Sequence, residues 1–460
     1  MTAAALVVVA PAAALPPIKH VFTIVLENKD QSQTFAANSP APYLAKTLPS
    51  MGQFVPNYYG IGHESLDNYV AMVSGQPPNG VTQADSPAFV NMTPGTVGSD
   101  GVAVGQGSVF PTSVKTIADQ LTSAGLTWRG YMEDMGNSFP SKPATCRHPA
   151  IGAPDSDQSA KAKDQYATRH NPFVYFHSII DTPACDANDV PLTQLPGDLV
   201  SAVSTPNYVF ITPDLCSDGH DDTCADGGPG GYKGIDGFLR KWVPQILGSP
   251  AYKEGGLLMV LFDEADTDDS ACCNEQPGPN TPNPAGPRPG AGGGKTGAVL
   301  ISPYIQPGTV NTTAYNHYSM LRSVEDVFGL PHLAFAAQDG LKPFGSDVFN
   351  APAIPSTTGG GPGAPGGTTT RSSRIRIRVG GVPRRCVASR FSARVSVSAS
   401  NGVRRVRAYV DRHSVRRSTH KRFRVRVKAS SLRRGRHRLT VMAADRKGKR
   451  ARRTVTFRRC

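Results

Sequence analysis

Two pairs of acidic and amide side chains follow apolar runs of the sequence. Glu27 and Asn28 follow the run HVFTIVL, and Asp263 and Glu264 follow the run LLMVLF. In an open α/β sheet the carboxyl ends of the strands form the edge at which ligands bind. Carboxylate and amide oxygens are the ligands that hard divalent cations prefer, and clustered carboxylates repel each other without a cation. We therefore predict a divalent metal ion between these two clusters.

A serine lies between these pairs in the segment GIGHESLDNYVAMVSG. Ser65 stands at the predicted start of a helix, where free N–H groups and the helix dipole favour a phosphate and a forming alkoxide. A serine at this position is most often only an N-cap. A neighbouring metal ion would lower the pKa of its hydroxyl, so we predict Ser65 as a nucleophile.

Three histidines flank the same candidate elements. His63 precedes the serine, His220 lies in the loop TPDLCSDGHDDTC, and His317 opens a predicted helix. A lone histidine is usually a structural residue, but histidine titrates in the range that a proton donor needs. We therefore predict these three as candidates for general acid work.

Short apolar runs alternate with segments of helical spacing along the first 350 residues. The runs are rich in Val, Ile, Leu and Phe and are bounded by turn residues, which is typical of buried parallel strands. We predict an α/β domain over residues 18–350, with a mostly parallel sheet and helices on both faces. The predicted strands are 18–26, 126–131, 208–211, 257–262 and 299–301, and the predicted helices are 113–124, 192–203, 235–247 and 319–328.

The chain of 460 residues divides sharply in charge. Residues 371–460 hold 31 Lys and Arg and two acidic residues. Residues 1–370 hold 18 Lys and Arg and 33 acidic residues. The length and the apolar content of 39% exclude a small disulfide-only scaffold and a wholly disordered chain. We expect an acidic body, a Pro/Gly/Thr linker over residues 351–373 and a basic domain over residues 374–460.

Strict alternation of apolar and polar residues marks the basic domain. Six short runs predict a small antiparallel Ig-like sandwich with arginines on its outer surface. The excess of cations predicts binding to polyanions. Its aromatic residues are spaced for core packing, so we expect anionic envelope polymers or lipid headgroups as partners and nucleic acid only as an incidental ligand. The runs are 374–378, 394–398, 403–410, 423–427, 438–442 and 453–457.

The N-terminus points to export. Residues 1–17 are apolar, with a small-residue A-x-A site at positions 12–14, which predicts the remnant of a secretory signal peptide without its basic start. No other stretch approaches the roughly 18 apolar residues that a membrane span needs. We therefore expect a secreted or cell-envelope-associated protein without a transmembrane segment.

Eight cysteines without a C-x-x-C pair agree with disulfides in an oxidising compartment. We pair Cys386 with Cys460, which bracket the basic domain, and Cys216 with Cys224, which close a short loop. Adjacent cysteines are not expected to pair with each other, so two bonds should be shared, in an order that the sequence leaves open, among the other four: Cys146, Cys185, Cys272 and Cys273.

The segment GAGGGKT is similar to a phosphate-binding loop. However, Pro289 stands where such a loop requires its first glycine, and a strand follows where a helix is required. We therefore predict a surface loop over residues 277–294 and no nucleotide site.

Five motifs occur in a definite order: Glu27-Asn28, GHESLDNY with Ser-Gly closing its helix, PD with DGHD, FDEAD, and NHYS. This order resembles the bacterial phosphoesterase family of acid phosphatases and phospholipases C, within the alkaline phosphatase superfamily, and is most similar to secreted phosphatidylinositol-3-phosphate phosphatases. The likeness covers residues 18–350 and leaves the basic domain out. It implies an alkaline-phosphatase-like fold and hydrolysis of phosphate monoesters, with phosphoinositides among the expected substrates.

The resemblance also implies roles for single residues. Ser65 matches a nucleophile that forms a phosphoserine intermediate, and Asn68 matches an asparagine that contacts the phosphoryl oxygens. Phosphate-binding or proton-transferring positions are matched by His63, His220 and His317. The ligands of a single metal ion are matched by Glu27, Asn28, Asp263 and Glu264.

The chain departs from the family pattern at two places. Members with two zinc ions usually have Asp-His where Asp263 and Glu264 stand, so we do not expect a full second metal site. Glu64 and Asp67 stand where the family motif commonly has proline. These two carboxylates add negative charge beside the nucleophile, which would weaken binding of highly charged substrates.

The leading interpretation is a secreted phosphomonoesterase. One alternative is a phosphodiesterase of phospholipase C type, which binds a second ester substituent instead of a free dianion. Another alternative is a non-catalytic envelope- or polyanion-binding protein with a degenerate body. Retention of Ser65 together with both acidic pairs argues against degeneracy.

Overall fold

The computed structural model describes residues 15–351, 375–383, 386–399, 402–411, 413–446 and 450–460. Most of the expected signal remnant and of the predicted linker lies outside these ranges. The chain forms two compact units, Met1–Ser356 and Thr357–Cys460, and each is described by itself.

The strands of the first unit form one large sheet and two small ones. They are β1 (His20–Leu26), β2 (Gln53–Val55), β3 (Tyr58–Tyr59), β4 (Thr93–Val97), β5 (Ala103–Gln106), β6 (Trp128–Met132), β7 (Asp189–Pro191), β8 (Tyr208–Thr212), β9 (Gly256–Phe262), β10 (Ala298–Ile301), β11 (Thr309–Val310) and β12 (Tyr315–Asn316). The large sheet has the order β11-β2-β10-β9-β1-β8-β6-β7. Its centre is β1, which pairs in parallel with β8 and β9.

Helices connect these strands. They are α1 (Gln31–Thr34), α2 (Leu48–Met51), α3 (Ser65–Ser74), α4 (Ile117–Ser123), α5 (His177–Ile180), α6 (Ala184–Asn188), α7 (Leu195–Asp198), α8 (Gly231–Gly248), α9 (Pro250–Lys253) and α10 (His317–Phe328). A short 3₁₀ helix spans Thr168–His170. Within the described ranges, no helix combines the length and the apolar character that crossing a membrane requires.

The alternation of side chains along β1 builds a core on each face of the sheet. Val21 and Val25 belong to the cluster that contains Leu66 of α3 and Leu321 of α10. The residues of β1 on the opposite face, Phe22, Ile24 and Leu26, belong to the cluster that contains residues of α8. Because successive side chains of a strand point to opposite faces, an all-apolar strand requires helices on both sides. The predicted fold class is confirmed.

The five predicted strands all exist, but one runs in the other direction. Strand β10 pairs antiparallel with both β9 and β2. A parallel neighbour needs a crossover back to the opposite edge of the sheet, usually through a helix. The segment between β9 and β10 contains no helix, so the chain re-enters the sheet from the edge at which β9 ends. The expectation of a parallel strand over 299–301 was therefore wrong.

The helix predicted over residues 192–203 ends early: a 3₁₀ turn over Leu192–Gln194 leads into the single turn α7, and no helix follows Asp198 in this segment. The hydroxyls of Ser204 and Thr205 donate to the carbonyl oxygen of Asp198 at 2.8 and 2.9 Å. Such local hydrogen bonds compete with helix continuation. The apolar spacing of this segment serves core packing and not a regular helix.

The second unit consists of two antiparallel sheets. Its strands are β13 (Ile375–Gly380), β14 (Arg390–Ala399), β15 (Val403–Val410), β16 (His413–Ser418), β17 (Arg422–Lys428), β18 (Gly435–Asp445) and β19 (Arg450–Arg459). The orders are β13-β14-β17 and β16-β15-β18-β19. Alternate residues of both sheets, such as Val395, Val425 and Val441, fill one core. The predicted all-β fold is confirmed, with β16 as a strand that was not predicted.

All eight cysteines form disulfides. The predicted bonds Cys386–Cys460 and Cys216–Cys224 are present. The other bonds are Cys146–Cys185 and Cys272–Cys273, so the expectation that adjacent cysteines do not pair was wrong.

Local structure explains this outcome. The Cys146 N–H donates to Asp189 O at 3.0 Å, which places Cys146 beside α6, where Cys185 lies. Cys273 packs against a different cluster, which contains Ile61 and Tyr318. Cys273, which is bonded to its neighbour Cys272, has a left-handed backbone conformation with a φ of 65°.

The bond that closes the longest loop should contribute most to stability. The Cys386–Cys460 bond spans 74 residues, and the Cys216–Cys224 bond spans eight. In the chain-entropy description, opening the first should cost about 4 kcal/mol and opening the second about 2.5 kcal/mol. We expect Cys386→Ser with Cys460→Ser to lower the free energy of unfolding more than Cys216→Ser with Cys224→Ser does. Calorimetric unfolding of both double variants measures this, and the reverse order would contradict it.

Candidate active site

Ser65 is the first residue of α3, and its side chain contacts Glu27, the residue after β1. Ser65 Oγ donates to Glu27 Oε2 at 2.8 Å. The two residues are only 2% and 0% exposed. Glu64, which precedes the helix, has a φ of 83°, a conformation that costs energy for any residue except glycine and that clusters at active sites. The strained turn thus delivers the serine hydroxyl to the carboxylate.

Tyr69 holds the other oxygen of the same carboxylate. Its hydroxyl donates to Glu27 Oε1 at 2.7 Å. Tyr69 lies four residues after Ser65, so both side chains project from one face of α3. Its ring also stacks on the ring of His170, with centroids 5.3 Å apart. Both oxygens of Glu27 therefore have fixed donors.

Two further carboxylates and an imidazole surround Glu27. Asp263 follows β9, the parallel neighbour of β1, and Oδ1 of Asp263 accepts from the Asn28 N–H at 3.1 Å. His170 Nδ1 lies 3.1 Å from Asp218 Oδ2, and its Nε2 lies 3.4 Å from Glu27 Oε2. Burial and the mutual repulsion of the carboxylates raise the pKa of Glu27, and burial raises the pKa of Asp263 and Asp218.

This group suits a divalent cation. Glu27, His170 and Asp218 each offer a ligand atom, and these atoms lie within 4.8 Å of one another. Asp263 Oδ2 is buried and has no hydrogen-bond partner. Buried carboxylates in this number require a compensating positive charge, and oxygen with imidazole nitrogen is a suitable donor set. The residues present therefore fit the expected metal ion.

The four predicted ligands are placed differently. Glu27 and Asp263 lie in this group, and Asn28 lies beside them and contacts Asp263 through its main chain. Both oxygens of Glu264 accept from the Glu64 N–H at 3.1 and 3.2 Å, and one also contacts His63 Nδ1. Glu264 therefore orients His63 and the turn before the nucleophile.

His220 belongs to a chain of contacts that ends at the start of α3. Its Nδ1 lies 2.7 Å from Asp221 Oδ1, and its Nε2 accepts from Arg169 Nη2 at 3.0 Å. Arg169 Nε lies 3.2 Å from Asp85 Oδ2, and Asp85 Oδ1 accepts from the Leu66 N–H at 2.9 Å. Burial and the nearby guanidinium lower the pKa of His220. A neutral His220 thus orients Arg169 beside the nucleophile.

His317 is fully buried behind the acidic group. Its Nε2–H donates to the carbonyl oxygen of Asp263 at 2.5 Å, and its Nδ1 lies 3.0 Å from the Tyr58 hydroxyl. Burial lowers its pKa to about 4. In this structure His317 fixes the main chain at Asp263.

Asn68 organises the turn before the nucleophile. Its Oδ1 accepts from the N–H groups of Ile61 and Gly62 at 2.7 and 3.3 Å. Its Nδ2 donates to the carbonyl oxygens of Gly62 and Glu64 at 2.8 and 3.1 Å and to Asp67 Oδ1 at 3.0 Å. Both the oxygen and the nitrogen of the Asn68 amide are therefore hydrogen-bonded within the protein. The expected contact of Asn68 with a phosphoryl group stays a prediction.

The glycine-rich segment packs directly on this turn. The Gly60 N–H donates to Gly294 O at 3.0 Å, and a Cβ on Gly293 would lie 2.4 Å from Gly62 O. A strand follows the segment, as predicted. The glycines allow close approach of two backbones, and Arg288 of the same segment forms an ion pair with Glu64.

Sequence reasoning missed four of these residues. Tyr69 stands four positions after Ser65, so helical spacing could have identified it. Asp218 lies in a loop that is recognisably dense in polar groups. His170 and Arg169 lie in an isolated 3₁₀ turn with no characteristic spacing, and only the folded chain brings them to Glu27 and His220.

Comparison with known proteins gives a consistent result. A model of the phosphoesterase family matches residues 38–331. This match contains Ser65, Asp263 and His317, begins after Glu27 and ends before the second unit. It confirms the family that the five motifs indicated.

Curated relatives match the same part of the chain. A probable acid phosphatase of Kluyveromyces lactis is 27% identical over 324 residues, covering 68% of this chain and 59% of that protein. A phosphatidylinositol-3-phosphatase of Mycobacterium tuberculosis is 25% identical over 326 residues, covering 71% of this chain and 82% of that protein. An acid phosphatase of Aspergillus fumigatus is 25% identical over 316 residues, covering 68% of this chain and 55% of that protein. The chain thus spans little more than half the length of the two fungal proteins.

The contacts of Asn68 lead to a stability prediction. In Asn68→Asp a carboxylate oxygen would replace the amide donor and face three acceptors in a buried site. We expect a loss of about 3 kcal/mol or more in the free energy of unfolding, because an unpaired buried polar group costs about 1–3 kcal/mol and more when charged. Asn57→Asp is the control, since Asn57 is only half-buried and its side-chain amide makes one contact, to Thr312 O. Equal denaturant midpoints for the two variants would contradict the positioning role.

The fit of the acidic group to a cation predicts a dependence of stability on metal. A cation at 100 times its dissociation constant should add about 2.7 kcal/mol to the free energy of unfolding. We expect a chelator to lower the melting temperature of the wild type and to have little effect on Asp263→Asn. Asp236→Asn is the control, because Asp236 is a buried carboxylate on α8 that accepts from the Tyr43 N–H at 2.6 Å. A wild type that responds to neither chelator nor added Mg²⁺, Ca²⁺, Mn²⁺ or Zn²⁺ would refute the site.

Proposed function

Because the chain belongs to the phosphoesterase family, we propose that it hydrolyses phosphate monoesters with Ser65 as the nucleophile. The observation that carries this proposal is the 2.8 Å hydrogen bond from Ser65 Oγ to Glu27 Oε2 at the start of α3. Glu27 Oε2 lies within hydrogen-bond distance of the serine hydroxyl, which is the geometry that a proton acceptor requires. The helix N-terminus favours the anionic phosphoryl group that the hydroxyl would attack.

The proposed reaction has two steps. Ser65 Oγ attacks phosphorus, its proton passes to Glu27, and the bond from phosphorus to the ester oxygen breaks. The alcohol leaves with a proton from His63, whose ring is oriented by Glu264 and is partly exposed, at 21%. Water, deprotonated by His63, then cleaves the phosphoserine, inorganic phosphate leaves, and Glu27 returns the proton to Ser65.

Positive charge is needed where a phosphate dianion enters a group of carboxylates. We infer that Arg169, held by Asp85 and His220, attracts the phosphoryl oxygens. Because Nη1 of Arg169 donates to Gln158 O and Nη2 contacts His220, Arg169 would act on the phosphate through its permanent positive charge. His220 and Asp85 then position Arg169, which gives His220 an indirect part in phosphate binding.

The proposed metal ligands are Glu27, Asp263, Asp218 and His170, and the predicted roles of Asn28 and Glu264 are kept as part of the proposal. A divalent cation held there would offset the charge of the carboxylates and of the phosphoryl group during displacement. Without positive charge at this point, the buried carboxylates would repel an approaching phosphate. Removal of the ion should therefore weaken substrate binding as well as turnover.

The expected substrates and location are also proposals. The mycobacterial relative named as a phosphatidylinositol-3-phosphatase supports phosphoinositides as lipid-borne substrates. The apolar residues 1–17 and four disulfides support secretion or attachment to the cell envelope. The charge of the second unit supports binding to an anionic polymer or to lipid headgroups.

Ser65→Ala tests the nucleophile. We expect the turnover number on an aryl phosphate monoester to fall by about 10³-fold or more, because the covalent route is lost. Ser74→Ala is the control, since Ser74 closes the same helix and its hydroxyl donates to Val70 O at 2.7 Å. Mass spectrometry of acid-quenched wild type should show one added phosphoryl group that Ser65→Ala lacks. Turnover by Ser65→Ala at the wild-type rate would remove the serine from the mechanism.

The same assay separates the monoesterase from the diesterase. We expect the wild type to prefer the aryl monoester to the corresponding diester, because a free dianion interacts more strongly with Arg169 and with the cation site. The ratio of kcat/KM for the two substrates, with and without chelator, measures this preference. A higher kcat/KM for the diester would favour the phospholipase C type of activity.

A further inference from the structure

The outer face of the β13-β14-β17 sheet is unusually uniform. Val395, Val397, Val425 and Val427 point into the core, so the alternate residues point outward. The outward side chains that the structure describes are cationic or serine, and six of them are arginines: Arg378, Arg390, Arg394, Arg422, Arg424 and Arg426. We call this surface the arginine face.

The register of the strands sets like charges opposite each other. Arg394 pairs with Arg424, and Arg390 pairs with Lys428. Residues directly opposite have Cβ atoms about 5 Å apart, and same-face neighbours on one strand lie about 7 Å apart. Like charges in such pairs destabilise a sheet. The sequence of this face therefore lowers stability unless an anion lies on it.

The three strands of this face contain no acidic residue. Residues 371–460 contain two acidic residues, Asp411 and Asp445, and neither belongs to these three strands. Asp411 forms an ion pair with His437 of β18, in the other sheet. The strands of this face therefore supply no counter-charge of their own, and a bound anion would supply it.

The other outer face of the unit is mixed. Arg405, Arg407 and Arg438 share it with Tyr409 and with exposed Met442, which is 41% exposed. Arg417, Arg436 and Arg458 also belong to that face, so the two faces hold similar numbers of arginines and differ in the residues that lie among them. The restriction of one face to arginine, lysine and serine indicates a specific ligand chemistry there.

We propose that the arginine face binds a linear polymer that carries a phosphate on every repeat. Arginine, in preference to lysine, matches oxyanions that accept two parallel hydrogen bonds, and the interleaved Ser392 and Ser396 add hydroxyl donors. The described outward positions offer no aromatic side chain for base stacking and no apolar side chain for insertion into a bilayer. This inference rests on the proposal that the second unit binds polyanions, and it names the surface and the class of polymer.

The test compares two triple variants of the full chain with equal loss of charge. One removes Arg394, Arg424 and Arg426 as R394Q, R424Q and R426Q, and the other, the control, carries R405Q, R407Q and R438Q. The probe is long-chain inorganic polyphosphate. The parent protein is the Ser65→Ala variant, and both triple variants also carry this substitution, so that the probe is not hydrolysed during the measurement. We expect the first to bind at least about tenfold more weakly near 0.15 M salt and the control to stay within about threefold of its parent. The slope of log K against log salt should decrease by about 2 in the first variant, at roughly 0.7 per lost phosphate contact.

Thermal unfolding separates loss of binding from loss of folding. Without polymer, the arginine-face variant should melt at or above the temperature of its parent, because the pair Arg394 and Arg424 no longer repels. With polyphosphate, the melting temperature of the parent should rise more than that of the variant. A variant that binds weakly and also melts well below its parent would contradict the assignment of repulsion to this face.

Other ligands define the results that would overturn the proposal. Equal losses in the two triple variants would show that binding follows net charge and not this face. Tighter binding to polyglutamate, to single-stranded DNA of the same charge or to anionic phospholipid vesicles than to polyphosphate would assign the face to another class of partner. None of these results bears on catalysis, since the phosphoserine test uses a soluble aryl phosphate.

Discussion

The repulsion between buried carboxylates is the constraint on which the catalytic unit depends. Glu27, Asp218 and Asp263 are held close together with little access to water, and each has a raised pKa. Burying such charges costs free energy that the strong pairing of β1 with β9 must offset. The surrounding contacts, from Tyr69 and His170 in particular, fix oxygens that would otherwise move apart. The site is thus prepared to accept positive charge, and a hydroxyl between the carboxylates is prepared to lose a proton.

Much of this arrangement follows from sequence patterns of short range. The apolar runs identified the strands because burial on both faces makes most of their residues apolar. The acidic residues that follow two of these strands then lie at one edge of the sheet. The serine was identified because a helix start has a definite chemistry. The direction of β10 was not identified, since it depends on whether the preceding segment contains a crossover helix. His170 and Arg169 were not identified, because the contact of Arg169 with His220 spans 51 residues and that of His170 with Glu27 spans far more, and such separations leave no local spacing.

Two carboxylates that depart from the family pattern have different surroundings. Asp67 is fully buried, and burial together with Glu264 raises its pKa, so its negative charge is suppressed. Glu64 is partly exposed and is neutralised by Arg288 from the glycine-rich segment. The extra negative charge expected beside the nucleophile is therefore largely cancelled. The glycine-rich segment supplies Arg288, and the acidic turn that contains Glu64 contacts it. A change in either of these segments therefore alters the electrostatics of the other.

The disulfides have a topological property that bears on biosynthesis. Each cysteine is bonded to the next one along the chain, from Cys146–Cys185 to Cys386–Cys460, without nesting or crossing. Eight cysteines can pair in 105 ways, and this is the one that arises when each thiol reacts with its immediate predecessor as the chain emerges. An oxidant that acts on the growing chain therefore generates the native set directly. If the cysteines are oxidised in the order in which they emerge, the native set forms without subsequent reshuffling by a disulfide isomerase.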